Sequence, residues 1–131
     1  MKVTAIALEL TDEQKAYFKS ATKSVYQLDL GKEYTVYAIY FVPDSVTDYT
    51  MYLVLDDVNR LIPIPACLFD VSDSRTSMYW HANYDRDRFL LALEPKEFID
   101  DPYLSEHVLD RDPQAWEVFS EVRRRMEAES L

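Results

Sequence analysis

The chain of 131 residues carries 24 acidic and 14 basic side chains, a formal net charge of −10, with 48% hydrophobic and 14% aromatic residues. That apolar content excludes intrinsic disorder, and a surface of that sign repels phosphate backbones, so no direct nucleic-acid binding is expected. A single glycine, Gly31, excludes the P-loop, the dinucleotide fingerprint and the nucleophile elbow, each of which needs several.

One domain over residues 1–131 is expected, β-rich across 25–93 and helical across 95–129. Residues 3–10 alternate as a first strand, with Ile6, Leu8 and Leu10 on one face and alanines on the other. Thr11 then reads as a helix cap, with Gln14 closing a Thr-x-x-Gln box and Asp12 and Glu13 at the positive dipole end. This helix is expected to run about three turns, Tyr17, Phe18, Ala21 and Val25 facing inward and Lys15, Lys19 and Lys23 facing water. Tyr26, Leu28 and Leu30 alternate with polar residues before a turn at Gly31-Lys32. Tyr34–Val42 follows without a charge and apolar on both faces, the pattern of a central or doubly covered strand. Tyr49–Leu55 returns as its partner, and Asp56–Asn59 forms a turn. Arg60–Pro65 holds two prolines that cannot donate to a ladder, so it must be an edge strand or leave the sheet early. Residues 70–77 read as loop. Met78–Tyr84 and Phe89–Leu93 pair around the charged turn Asp85–Arg88. Asp101-Pro102 caps a short helix with Leu104 and Val108. Asp112-Pro113 repeats the device for a last helix with Trp116, Phe119, Val122 and Met126 on one stripe and Arg123–Arg125 at its negative end. The expected fold is α+β: an antiparallel sheet of roughly four to six strands with an N-terminal helix and two C-terminal helices.

Catalytic and metal signatures are weak. Cys67 lies in an apolar setting and has no second cysteine to pair with, which fits a reducing, cytoplasmic compartment. The N-terminus lacks a signal-peptide pattern, and no uncharged apolar run approaches the ~18 residues of a membrane span, so no membrane partner is expected. His81 and His107 lack metal-ligand spacing, and no metal or cofactor is expected. A triad of His81, Ser74 and Asp70 or Asp73 lacks the sharp turn that would present the serine. The pairs Asp56-Asp57, Asp100-Asp101 and Asp110 with Asp112 read first as caps and solvated turns rather than as catalytic carboxylates. The charge map is more telling: Glu97 to Glu121 contains eight acids and one base, Arg111. A charge run is ordinarily a solvated face, but clustered carboxylates also steer basic partners. Ten tyrosines, several on both faces of strands, exceed what one core can bury and point to contact surfaces.

Gly31-Lys32-Glu33-Tyr34-Thr35-Val36-Tyr37-Ala38-Ile39, the segment Tyr52–Asp57, Pro63-Ile64-Pro65-Ala66, Leu68-Phe69-Asp70-Val71, Asp73-Ser74-Arg75 and Tyr79-Trp80 together resemble small bacterial immunity-type proteins encoded beside secreted toxins. The resemblance spans about residues 25–84 and extends to the Asp-Pro-rich tail. It implies an intracellular antitoxin, without catalysis of its own, that covers a toxin's active surface. The leading expectation is therefore a non-catalytic acidic protein that inhibits a basic toxin domain by occlusion. Its candidate contacts are Asp100, Asp101, Glu106, Asp110 and Asp112, with Tyr103 and Trp116 as anchors and the Asp56-Asp57 turn as a further candidate. Two alternatives stand beside it. A phage or mobile-element nuclease inhibitor that mimics DNA would spread its carboxylates along a ridge. A small-ligand protein or enzyme would enclose Trp80, His81 and tyrosine hydroxyls in a deep pocket.

Overall fold

The computed structural model describes residues 1–17, 25–43 and 49–129. In chain order these form β1 (Lys2–Ala5), α1 (Asp12–Tyr17), β2 (Glu33–Thr35), β3 (Ala38–Val42), β4 (Tyr49–Leu55) and β5 (Leu61–Pro65). A single 3-10 turn (Ala66–Leu68) leads to β6 (Phe69–Asp73), β7 (Trp80–Asp85), β8 (Leu90–Pro95), α2 (Lys96–Asp100), α3 (Leu104–Leu109) and α4 (Pro113–Ala128). The fold is α+β. Among the described residues the strands form two sheets, ordered β2-β1-β6 and β5-β4-β3-β8-β7, with every pairing antiparallel.

The uncharged run over Tyr34–Val42 is not one strand. It pairs with β1 up to Thr35, crosses at Val36 and Tyr37, and pairs with β4 from Ala38. The Val36 amide still donates to Met1 O (3.1 Å), whereas the Tyr37 amide donates to Leu53 O (2.9 Å). Val36 is buried in one core and Tyr37 in the other. Both faces of the segment are apolar because it passes from one sheet to the other, and its second half, β3, lies at the centre of the larger sheet.

Period-2 alternation then sorts the larger sheet into two faces. Ala38, Leu53 and Leu61 pack against Phe98, Leu104, Val108, Phe119, Val122 and Met126 from the helices. Ile39, Val54, Ile62 and Ile64 pack with Val3, Ala5, Tyr34 and Phe69 from the smaller sheet. Trp80 touches both clusters, and its indole Nε1 donates to Tyr37 O at 2.8 Å. β5 is an edge strand, as its prolines require.

Four local expectations are corrected. β1 ends at Ala5 and buries Val3 and Ala5, while Ile6 is exposed; the opposite phase of the alternation is the inward one. Tyr26 and Leu28 are buried without belonging to a strand, and Leu30 is exposed beside the Gly31 turn. Of the residues 70–77 expected as loop, 70–73 belong to β6, held to β1 mainly by backbone pairing since only Phe69 of the strand is buried, and 74–77 lie outside any strand. α3 starts at Leu104, not at Pro102: Asp101 Oδ1 accepts from the Tyr103 amide (3.0 Å) in a turn before the helix, and the unanticipated α2 buries Phe98. The Thr11 box forms as expected, the Thr11 amide donating to Gln14 Oε1 (2.9 Å) and the Gln14 amide to Thr11 Oγ1 (3.1 Å). The face assigned to Tyr17, Phe18 and Ala21, the lysines Lys19 and Lys23 and the loop starting at Asp44 lie outside the described side chains and residues, and Val25 is exposed.

Candidate functional site

The acidic tail folds into a corner. α3 buries Leu104 and Val108 against α4 and the larger sheet, Asp110 is its C-cap, and Arg111 turns the chain at φ 65°. Asp112 then caps α4, its Oδ2 accepting from the Ala115 amide at 2.9 Å, and Pro113 occupies the first turn, where its missing donor is not needed. Between the two helices lies a groove of ≈470 Å³, floored by Leu104, Ala115 and Val118 and edged by Asp101, His107, Asp110 and Asp112. Asp101 Oδ2 is 3.5 Å from His107 Nδ1.

Asp100, Glu106 and Asp110 are exposed and have no ion-pair partner among the described residues. The one base of this stretch is turned away from them: Arg111 Nη2 donates to Val58 O (3.4 Å), and its guanidinium lies 5.4 Å from the Trp116 ring centre. Asp110 sits at the negative end of α3, where a carboxylate opposes the helix dipole. Arg111 holds a left-handed backbone that non-glycine residues adopt only at a cost. Two adjacent positions thus contradict local stability at the edge of the acidic groove.

The other predicted residues are placed differently. Tyr103 is exposed immediately before α3. Trp116 is half-buried and packs edge-on against Phe119 (5.7 Å between ring centres), so it belongs to the helical core. Its Nε1 is buried without an acceptor among the described residues. Asp56 is buried, and its carboxylate accepts from the Val58 amide (3.0 Å), the Arg60 amide (2.8 Å) and Arg60 Nε (3.0 Å). It staples the β4–β5 turn and presents nothing to a partner. Asp57 Oδ1 accepts from Lys32 Nζ (2.7 Å) and the Tyr34 hydroxyl (2.9 Å). Desolvation acts against that carboxylate, but these donors hold it below the usual range. Tyr34 is pushed up to about 12 by burial and by the Asp57 charge. The Asp56-Asp57 turn is joined to the acidic corner by the Arg111–Val58 hydrogen bond.

A second hollow lies on the helical side of the larger sheet. It holds ≈260 Å³ between Tyr40 of β3, Leu53 of β4, Leu61 of β5, Asn83 of β7 and Ala92 and Glu94 of β8, under Phe98 of α2 and Ser105, Glu106 and Leu109 of α3. Glu94 is 7% exposed, and the described residues give its carboxylate one hydrogen bond, from Asn83 Nδ2 at 3.4 Å. Burial pushes it above the ordinary value of 4.5; the Asn83 bond opposes the shift and the Asp85 charge adds to it. This hollow is not the aromatic pocket expected from sequence. Trp80 and His81 do not line it, and Tyr40 is its one tyrosine. Sequence reasoning ended the last strand at Leu93 and so missed Glu94; two residues beyond inward-facing Ala92, the alternation itself carries Glu94 onto the same face.

Among the described residues no grouping of three or more His, Cys, Asp or Glu side chains could hold a metal ion. No helix among them is long and apolar enough to cross a membrane. Comparison with family models, curated proteins and solved structures found no match.

Proposed function

We propose that this protein is a non-catalytic binding protein whose α3–α4 corner docks a basic partner, in the manner of an immunity protein that covers the active surface of a toxin domain. One observation carries the reading: Asp101, Asp110 and Asp112 edge an apolar-floored groove, Asp110 unpaired and placed where its charge works against its own helix, while Asp100 of α2 and Glu106 of α3 stand exposed and without ion-pair partners among the described residues. Carboxylates that contribute no internal pairing are available to meet the cationic side chains with which a nuclease would hold phosphate. Leu104, Ala115 and Val118 supply the apolar floor, and exposed Tyr103, the residue before Leu104, offers an aromatic anchor. The gathering of Asp101, Asp110 and Asp112 round one groove favours this over a DNA mimic, which needs charges along a ridge.

The test is protection in cells. Co-expression with a basic toxin domain encoded beside this protein should restore growth. The triple variant Asp100→Asn, Glu106→Gln, Asp110→Asn should fold normally and restore it at least about tenfold less well, since each lost charged contact removes about 1.5–3 kcal/mol. Full protection by the folded triple variant overturns the assignment of this surface.

A further inference from the structure

A buried carboxylate, Glu94, sits on the helical face of the larger sheet with a single long hydrogen bond among the described residues. On the same face Ala92, Ala38 and Leu53 are buried and apolar, Tyr40 and Asn83 are polar neighbours, and the cross-strand partner on β7, His81, is exposed with no ion pair to Glu94 among the described residues. An isolated carboxylate among such residues is destabilising unless cations or several donors satisfy it, and an apolar residue of similar volume would serve packing better. Here one 3.4 Å bond from Asn83 is all the described residues give it. The nearest guanidinium on the cavity wall, Arg88, is drawn to Asp85, with Nε 3.7 Å from Oδ2. Glu94 is more than nine-tenths buried and borders the ≈260 Å³ hollow, so what it lacks is a donor inside that space.

The lining defines the missing group. Leu53, Leu61, Phe98 and Leu109 give apolar walls. The carboxylates Glu94, Asp85 and Glu106 against the single Arg88 make the hollow repel anions. The volume lies just under the roughly 300–1,000 Å³ typical of ligand pockets, which limits the occupant to a small molecule or one long side chain. We propose that this hollow is a binding site for an organic cation, an ammonium or guanidinium group on an apolar stem, with Glu94 as the charge partner and Tyr40 and Asn83 beside the cationic head. A free arylalkylamine presents that chemistry, and so does a lysine or arginine side chain. The hollow is a separate space from the α3–α4 groove, sharing only Glu106 of its lining with the residues assigned to docking, and the proposal does not rest on the docking reading.

Titration of the full-length protein, followed by amide chemical shifts and calorimetry at pH 7.5, tests this with benzylamine and benzamidine as free cations and with Nα-acetyl-lysine and Nα-acetyl-arginine methylamides as blocked side chains. At least one cationic probe should shift resonances of β3, β8 and α3. Benzyl alcohol and benzoate should bind at least about tenfold more weakly, because they lack the charge-assisted contact. Glu94→Gln should remove about tenfold or more of the cation's affinity. Ser105→Phe, which puts a ring into the hollow from α3 and leaves Glu94 intact, should block binding. Asp110→Asn, outside the cavity, should leave binding unchanged. Tighter binding of the free amines assigns the site to a small molecule, and tighter binding of the blocked amino acids assigns it to a partner's side chain. The proposal is overturned if no cationic probe binds, if benzyl alcohol binds as well as benzylamine, or if folded Glu94→Gln retains full affinity.

Discussion

Glu94 and Phe89 show how single residues depart from what their surroundings favour. Glu94 is held above its ordinary 4.5 by burial, so ionising it costs more in the folded protein than in the unfolded chain. A carboxyl raised on folding contributes fully below its unfolded value, and that contribution is lost as pH rises through the folded value. Glu94→Gln should therefore match the parent near pH 4 and exceed it at pH 7.5 by about 1 kcal/mol or more, read from urea unfolding at the two pH values. Equal stability at both would mean that the carboxylate is satisfied in a way the Asn83 bond does not account for. Asp57 titrates in the opposite sense: the Lys32 and Tyr34 contacts stabilise its ionised form, and their contribution falls away as pH drops through its lowered value. Phe89 occupies the β7–β8 turn at φ 55° with 68% of its surface exposed, so it combines left-handed strain with little burial. Phe89→Asn should raise stability by about 0.5–1 kcal/mol, because asparagine tolerates that region. A loss on thermal or urea unfolding would show that the ring's packing outweighs the strain.

At the scale of elements, caps and alternation account for most of what the sequence made readable. α4 was legible because Asp112-Pro113 marks its start and Phe119, Val122 and Met126 repeat at helical spacing along the buried stripe. Asp112→Ala removes the acceptor for the Ala115 amide and should lower stability by about 1 kcal/mol in urea unfolding; no change would mean that the cap bond is replaced by water. β4, the edge position of β5 and the pairing of β7 with β8 were legible for the same kind of reason, through alternation and proline placement. β6 was not, because an edge strand that buries only Phe69 carries loop-like residues and depends on backbone bonds to β1. The crossing at Val36-Tyr37 was hidden because both of its destinations are apolar cores, so no change of composition marks the passage. Of the candidate contacts, charge placement led to the groove carboxylates, but no local pattern separated Asp56, buried as a turn staple, from exposed Asp110.

For the molecule as a whole, the larger sheet separates two cores, and the helical layer over one of its faces carries both the acidic groove and the roof of the Glu94 hollow. α3 takes part in each, with His107 facing the groove and Ser105 and Glu106 facing the hollow. A net charge of −10 with unpaired carboxylates concentrated at one corner sets up a field that acts on encounter more than on residence. The most direct test is stopped-flow association with a basic toxin domain across ionic strength, comparing the parent with Asp100→Asn, Glu106→Gln, Asp110→Asn. The parent's on-rate should fall by about tenfold or more from low to high salt while its off-rate changes little, and the triple variant should be slower at low salt with a flatter dependence. Identical salt dependence in the two proteins, or none in the parent, would contradict docking through this corner.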